Sequence, residues 1–163
     1  MFAKIAKNHE TFNNLSFFLL EIKKYAIFVP DYTYIYKKNR PIYIMNVETI
    51  RDYCLSLPAT SEYFPFDETV LAFRVVDKIF AMIDLSDTEW FVLKCAPDYA
   101  LELRDRHPEI TAAFHMNKKH WNQLNINGML SDELIRSLIL HSYRLVAAKL
   151  PRKVKEAHPE INL

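Results

Sequence analysis

The chain has 163 residues, half of them apolar, with 21 Lys/Arg against 20 Asp/Glu and a formal charge of +1. That is enough apolar material for one domain with its own core, and so even a charge balance confines any contact with a polyanion to a local patch. The single glycine, Gly128, excludes the dinucleotide fingerprint and the P-loop, both of which need several glycines where backbone meets phosphate.

The chain falls into two parts at Met45. Residues 1–44 carry seven Lys/Arg and three Asp/Glu, a net +4, whereas the rest carries 14 against 17, a net −3. The first part is crowded with Lys, Asn, Ile, Phe and Tyr in no sustained period, and is read as an N-terminal extension, translated upstream sequence with Met45 as the start. The rival reading lays residues 12–28 down as an amphipathic helix on the domain or on a partner. The early apolar run Phe17-Phe18-Leu19-Leu20 is cut by Glu21, Lys23 and Lys24, far short of the roughly 20 apolar residues of a membrane span.

From Asn46 the patterns become regular. Asn46 caps a helix whose Val47, Ile50, Tyr53, Cys54 and Leu57 follow the helical period, and Pro58 stops it. Residues 60–67 read as a loop. Alternation then predicts strands over 69–75 and 78–84, joined as a hairpin by Val76-Asp77, and a third strand over 90–95. Pro97 opens a helix over 98–106, which His107-Pro108 ends. Residues 110–116 and 120–126 are two shorter extended segments around Asn117-Lys118-Lys119, placing the lysines at a hairpin tip. Asn127-Gly128 is a turn, and Ser131 caps a last helix with Asp132 and Glu133 in its positive first turn. Leu134, Leu138, Ile139, Ser142, Leu145 and Val146 supply its buried face, and Pro151 ends it. Grouped strands with segregated helices predict an α+β domain with a mainly antiparallel β-sheet and helices packed around it.

Several segments, in this order, carry a resemblance: Phe64-Pro65-Phe66-Asp67, Lys78-Ile79-Phe80-Ala81, Leu93-Lys94-Cys95, His115-Met116-Asn117-Lys118-Lys119-His120-Trp121, and His141-Ser142-Tyr143 leading to Ala148-Lys149-Leu150-Pro151. Together they resemble the MmcQ/YjbR proteins over residues 45 to about 155, leaving 1–44 outside and 156–163 as a tail. The resemblance implies a bacterial cytoplasmic domain of CyaY-like (frataxin-like) fold whose β-hairpins serve as a double wing for DNA. Val76-Asp77 departs from the family pattern, standing where a glycine-rich turn is usual.

The site chemistry follows from the densest segment. Lys118 and Lys119 suit phosphate contact, Asn117 suits a phosphate or base edge, His120 adds a hydrogen bond, and Trp121 offers a stacking ring unless it fills core volume. Arg74 and Lys94 alternate away from the larger apolar set and extend the same basic surface. The reading is a DNA-binding protein; the alternative is a non-catalytic module for a protein or small anionic ligand.

Metal chemistry would draw on His107, His115, His120 and His141, yet His115 and His120 are five apart, which is no metal motif, and no CxxC or HExxH accompanies them. Frataxin-like iron binding needs an acidic first helix, and this one offers only Glu48 and Asp52. No metal or cofactor is expected. Nor is catalysis, since no serine or cysteine stands beside a base oriented by a third group. Cys54 and Cys95 lie far apart in sequence on apolar faces, which suits buried thiols in a reducing cytoplasm.

Overall fold

The computed structural model describes residues 45–161 in full and the backbone of 34–37 and 40–43. Two units divide the chain, Met1–Ile44 and Met45–Leu163. In the first, β1 (Tyr34–Lys37) and β2 (Arg40–Tyr43) pair antiparallel. The helix weighed over 12–28 lies outside the described residues, as does most of the segment read as translated upstream sequence.

The second unit is α+β. Its elements are α1 (Val47–Ser56), β3 (Thr60–Tyr63), β4 (Val70–Val75), β5 (Lys78–Asp84), β6 (Trp90–Lys94), α2 (Pro97–Arg106), β7 (Ile110–Ala112), β8 (Trp121–Asn125), α3 (Asp132–Ala147) and α4 (Arg152–Ala157), closed by a 3-10 turn at Pro159–Ile161. Six strands form one antiparallel sheet in the order β3-β4-β5-β6-β8-β7. Among the described residues no helix is long and apolar enough to cross a membrane.

The local signals explain the helix ends. The Asn46 side chain accepts from the Thr49 N–H at 2.9 Å while the Asn46 N–H donates to Thr49 Oγ1, a reciprocal capping box. Ser131 Oγ accepts from the Leu134 N–H at 3.2 Å, and Pro97 occupies the first turn of α2, where its missing N–H costs nothing.

Pleating sends alternate residues to opposite faces of the sheet. Leu71, Phe73, Val75, Phe91, Leu93 and Leu124 face the helices and join the main core, which also holds Ile50, Ile139 and Tyr143. The opposite, open face carries a smaller cluster of Ala72, Met82, Ala113 and Trp121, flanked by half-buried Tyr63, Ile79, Val92 and Met116. A register shift between Phe73 and Arg74 leaves Phe80 unopposed. That bulge lets Phe80 and Ala81, neighbours in sequence, both reach the helical core.

Three expectations are corrected. Thr60–Tyr63, read as loop, is an edge strand: its polar sequence hides a real alternation, with Glu62 held on the helical side by Arg51 of α1 and Tyr63 on the open side under Arg74. The extended segments expected over 110–116 and 120–126 shrink to β7 and β8, because residues 113–120 fold into turns. Beyond Pro151 the chain re-enters as α4, and Ile161, in the segment set aside as a tail, is only 6% exposed and packs into the core.

Two residues pay for a tight corner. Ala59 and Val76 have φ of 53° and 55°, the left-handed region that penalises a Cβ, and the Val76 N–H donates to the Ala59 carbonyl at 2.9 Å. Positive φ at Val76 but not Asp77 is the pattern of a II′ turn, in which glycine is usual at the first central position. Ala59→Gly removes one penalty without removing a packed side chain of any size. The relief of about 1–2 kcal/mol of left-handed strain exceeds the roughly 0.4–1 kcal/mol that glycine costs through the unfolded chain, so a small net stabilisation is expected in denaturant titration, and a loss of about 0.4–1 kcal/mol would show that Ala59 carries no strain.

Candidate functional site

An antiparallel sheet sorts its charges by end, since every second connection emerges on the same side. At the end where β4, β5 and β6 meet through Val70, Asp84 and Trp90 lie Asp67, Glu68, Asp84, Asp87 and Glu89. No Lys or Arg occurs in residues 64–70, 84–90 or 125–131. At the other end the register brings Arg74 beside Ile79, Lys94 beside Trp121, and the 113–120 connection next to them. Arg74, Lys78, Lys94, Lys118 and Lys119 gather there, with Asp77 in the β4–β5 turn and Asp98 at the start of α2. The sheet is electrically polarised along its strands although its domain is net acidic.

The cations expected to act together therefore do share one end. Arg74 lies on the open face with its guanidinium 4.4 Å from the centre of the Tyr63 ring and its Nε donating to Ser61 Oγ at 2.9 Å. Lys94 Nζ lies 5.1 Å from the centre of the Trp121 ring. Burial, and then the charge of Lys149 near the C-terminal end of α3, lower the pKa of Lys94. Lys118 and Lys119 are exposed, and among the described residues none of these four cations pairs with a carboxylate.

The remaining expected site residues have structural duties. Trp121 is 8% exposed, so its ring builds the open-face cluster on which Lys94 rests. Asn117 Oδ1 accepts from the Lys119 N–H at 2.9 Å, and the Asn117 carbonyl accepts from the His120 N–H, also at 2.9 Å. His120 is half-buried, and its carbonyl accepts from the Cys95 N–H at 2.8 Å. The lysines thus sit in a folded connection and not at a free hairpin tip.

What fixes that connection is a residue that sequence reading passed over. Arg104 of α2 donates from Nε to Asn122 Oδ1 at 2.7 Å and from Nη2 to the carbonyls of Lys118 and Trp121. Asn122 is 1% exposed and completes its pairing through the Ala100 carbonyl. In sequence, Arg104 looks like an ordinary cation in the last turn of a helix, a position favoured by the helix dipole alone. Ser142, expected only as part of the buried face of α3, has a specific role: its hydroxyl accepts from the Lys94 N–H at 2.9 Å and donates to the Phe80 carbonyl, bridging β6 to the bulged start of β5.

Among the described residues the histidines and thiols do not converge. His141 Nε2 accepts from the Ala96 N–H at 3.3 Å and its ring meets Tyr99 edge-on, and burial lowers its pKa. Cys54 and Cys95 are free and buried; burial pushes the Cys95 thiol up to about 11 and the Cys54 thiol higher still. Among the described residues no three His, Cys, Asp or Glu side chains are grouped to hold a metal ion.

Comparison with known proteins places this geometry in company. A family model described as YjbR matches residues 55–145. The uncharacterized protein YjbR of Escherichia coli K12 is 27% identical over 113 residues, covering 69% of this chain and 96% of that protein. The uncharacterized protein YbdF of Escherichia coli O157:H7 is 32% identical over 107 residues, covering 65% of this chain and 88% of that protein. A crystal structure of a Deinococcus radiodurans protein superposes with a TM-score of 0.65 at 33% identity, over 70% of this chain and 88% of that one. A Pseudomonas syringae protein gives 0.54 at 30% identity, over 63% and 99%.

Proposed function

The chain belongs to the YjbR family, and from that premise we infer that it binds nucleic acid, DNA first, through phosphate contacts made by Lys118 and Lys119, with Arg74 and Lys94 extending the basic surface. The observation that carries this reading is the segregation of charge among the strand connections: among the described residues Arg74, Lys94, Lys118 and Lys119 have no carboxylate partner at one end, and at the other the connections 64–70 and 84–90 carry carboxylates while neither they nor 125–131 hold any Lys or Arg. A polyanion is drawn to the first and repelled by the second, which orients it. The reading is of a cytoplasmic binding protein without catalysis or cofactor.

Salt dependence tests it. Log affinity for duplex DNA falls with log salt by about 0.9 per phosphate neutralised, so Lys118→Ala with Lys119→Ala is expected to flatten the slope by about 1.8. Fluorescence anisotropy of labelled DNA reads this directly. Absence of binding to duplex and single-stranded DNA alike at about 50 mM salt, where electrostatic binding is far tighter than at physiological salt, would remove the proposal. A small anionic ligand in the same basic end is the alternative, and a salt slope of about one charge would favour it.

A further inference from the structure

We propose that the nucleic acid taken by this site is single-stranded, with the Phe114 ring as a base-stacking surface beside the Lys118 and Lys119 phosphate contacts; this rests on the nucleic-acid reading above. Phe114 is 75% exposed, at the basic end of the sheet and in the same connection as both lysines. Its backbone is anchored: the Phe114 N–H donates to Gln123 Oε1 at 3.1 Å, and its neighbour Ala113, 1% exposed, packs with Met116 onto the open-face cluster. The ring is thus presented outward from a held segment. Its partner is His115, whose ring stands at 89° to it with centroids 4.8 Å apart.

Exposure alone does not single out Phe114, because isolated apolar residues at the surface are ordinary. Its electrostatic setting does. Phe66 is 72% exposed as well, but it precedes Asp67 and Glu68 at the acidic end, where phosphate is repelled. Residues 112–121 contain two lysines and two histidines and no carboxylate. The other aromatic faces near the cations are already covered, Tyr63 by Arg74 and Trp121 by Lys94. Phe114, with His115 against it, is the plane left for a base.

The shape of this end favours a single strand over a duplex. Reading a duplex takes an element that enters a groove. The β4–β5 turn is Val76-Asp77 alone, with a carboxylate at its tip, and the 113–120 connection is folded back and tied to α2 through the Lys118 carbonyl. Neither projects. A single strand needs no projection, since its bases are free to stack on an exposed ring while its phosphates follow neighbouring cations.

The test compares a labelled oligothymidylate with a hairpin duplex of equal charge, using the full chain and its Phe114→Ala, Phe114→Trp and Lys118→Ala/Lys119→Ala variants. The oligothymidylate is expected to bind more tightly than the duplex. Phe114→Ala should weaken its binding by roughly 5- to 150-fold, the loss of one stacked base, and leave duplex binding unchanged, while Phe114→Trp retains it. The lysine pair should weaken both. Equal affinity for the two probes, tighter duplex binding, or an oligothymidylate affinity indifferent to Phe114→Ala overturns the single-strand inference and leaves the nucleic-acid reading standing. Binding of neither probe overturns both.

Discussion

Arg104→Met is expected to cost about 3 kcal/mol of folding stability, a large share of the 5–15 kcal/mol that holds a domain of ordinary size. The guanidinium makes three hydrogen bonds, to Asn122 Oδ1, the Lys118 carbonyl and the Trp121 carbonyl. Once it is gone the Trp121 carbonyl keeps the Ala113 N–H at 3.1 Å, and the exposed Lys118 carbonyl can turn to water. Asn122 cannot: at 1% exposed it is left with a desolvated amide oxygen and no donor, and an orphaned buried acceptor costs about 1–3 kcal/mol beyond the lost bond. Urea denaturation measures the effect, and the double variant Arg104→Met with Asn122→Leu identifies its cause. Removing both partners of a buried pair is far milder than removing one, so the double variant should recover part of the loss. A double variant no more stable than the single one would show that Asn122 is not where the cost arises. Because Arg104 also holds the Lys118 backbone, the single variant should blunt anion binding even under conditions where it is fully folded.

Ser142→Ala comes second, at about 2–3 kcal/mol. This hydroxyl is 0% exposed and serves two backbone groups on different strands, the Lys94 N–H and the Phe80 carbonyl. The β5–β6 ladder runs from Ala81↔Leu93 to Ile83↔Phe91, so Phe80 and Lys94 lie just past its end. With alanine, one donor and one acceptor are stranded in an apolar layer next to Phe80 and Tyr143. Amide hydrogen exchange at Lys94 provides a local readout, expected to lose protection together with the global loss in denaturation. A cost below about 0.5 kcal/mol, the lower bound for a single net hydrogen bond, would mean that neighbouring groups or water satisfy the backbone in its place.

Both predictions rest on residues whose sequence context conceals them. Ser142 occupies a position on the buried stripe of α3 where the helical period marks a face but not a partner. Its value comes from Phe80, 62 residues earlier, and Lys94, 48 residues earlier. Arg104 has the same property with Asn122, 18 residues later. By contrast the helix ends were legible because each depends on contacts within one turn: Asn46 with Thr49, Ser131 with Leu134, Pro97 opening its own helix. The strands β4, β5 and β6 were legible from alternation, since a sheet with a core on one side imprints a period of two. Thr60–Tyr63 was missed because an edge strand with neither face fully buried leaves no such imprint.

The candidate site divides in the same way. Sequence alone determined which side chains can meet an anion, for Lys118, Lys119, Arg74 and Lys94 are cations whatever the fold, and alternation along β4 and β6 puts the latter two on the face away from the core. Tertiary structure decided that they stand at one end together, that Trp121 is buried beneath Lys94, and that Phe114 is exposed in the connection that holds both lysines. The physical reason is range. Helix caps and strand alternation are set by neighbours a few residues apart, whereas antiparallel pairing joins segments dozens of residues apart and carries their charges to a common end.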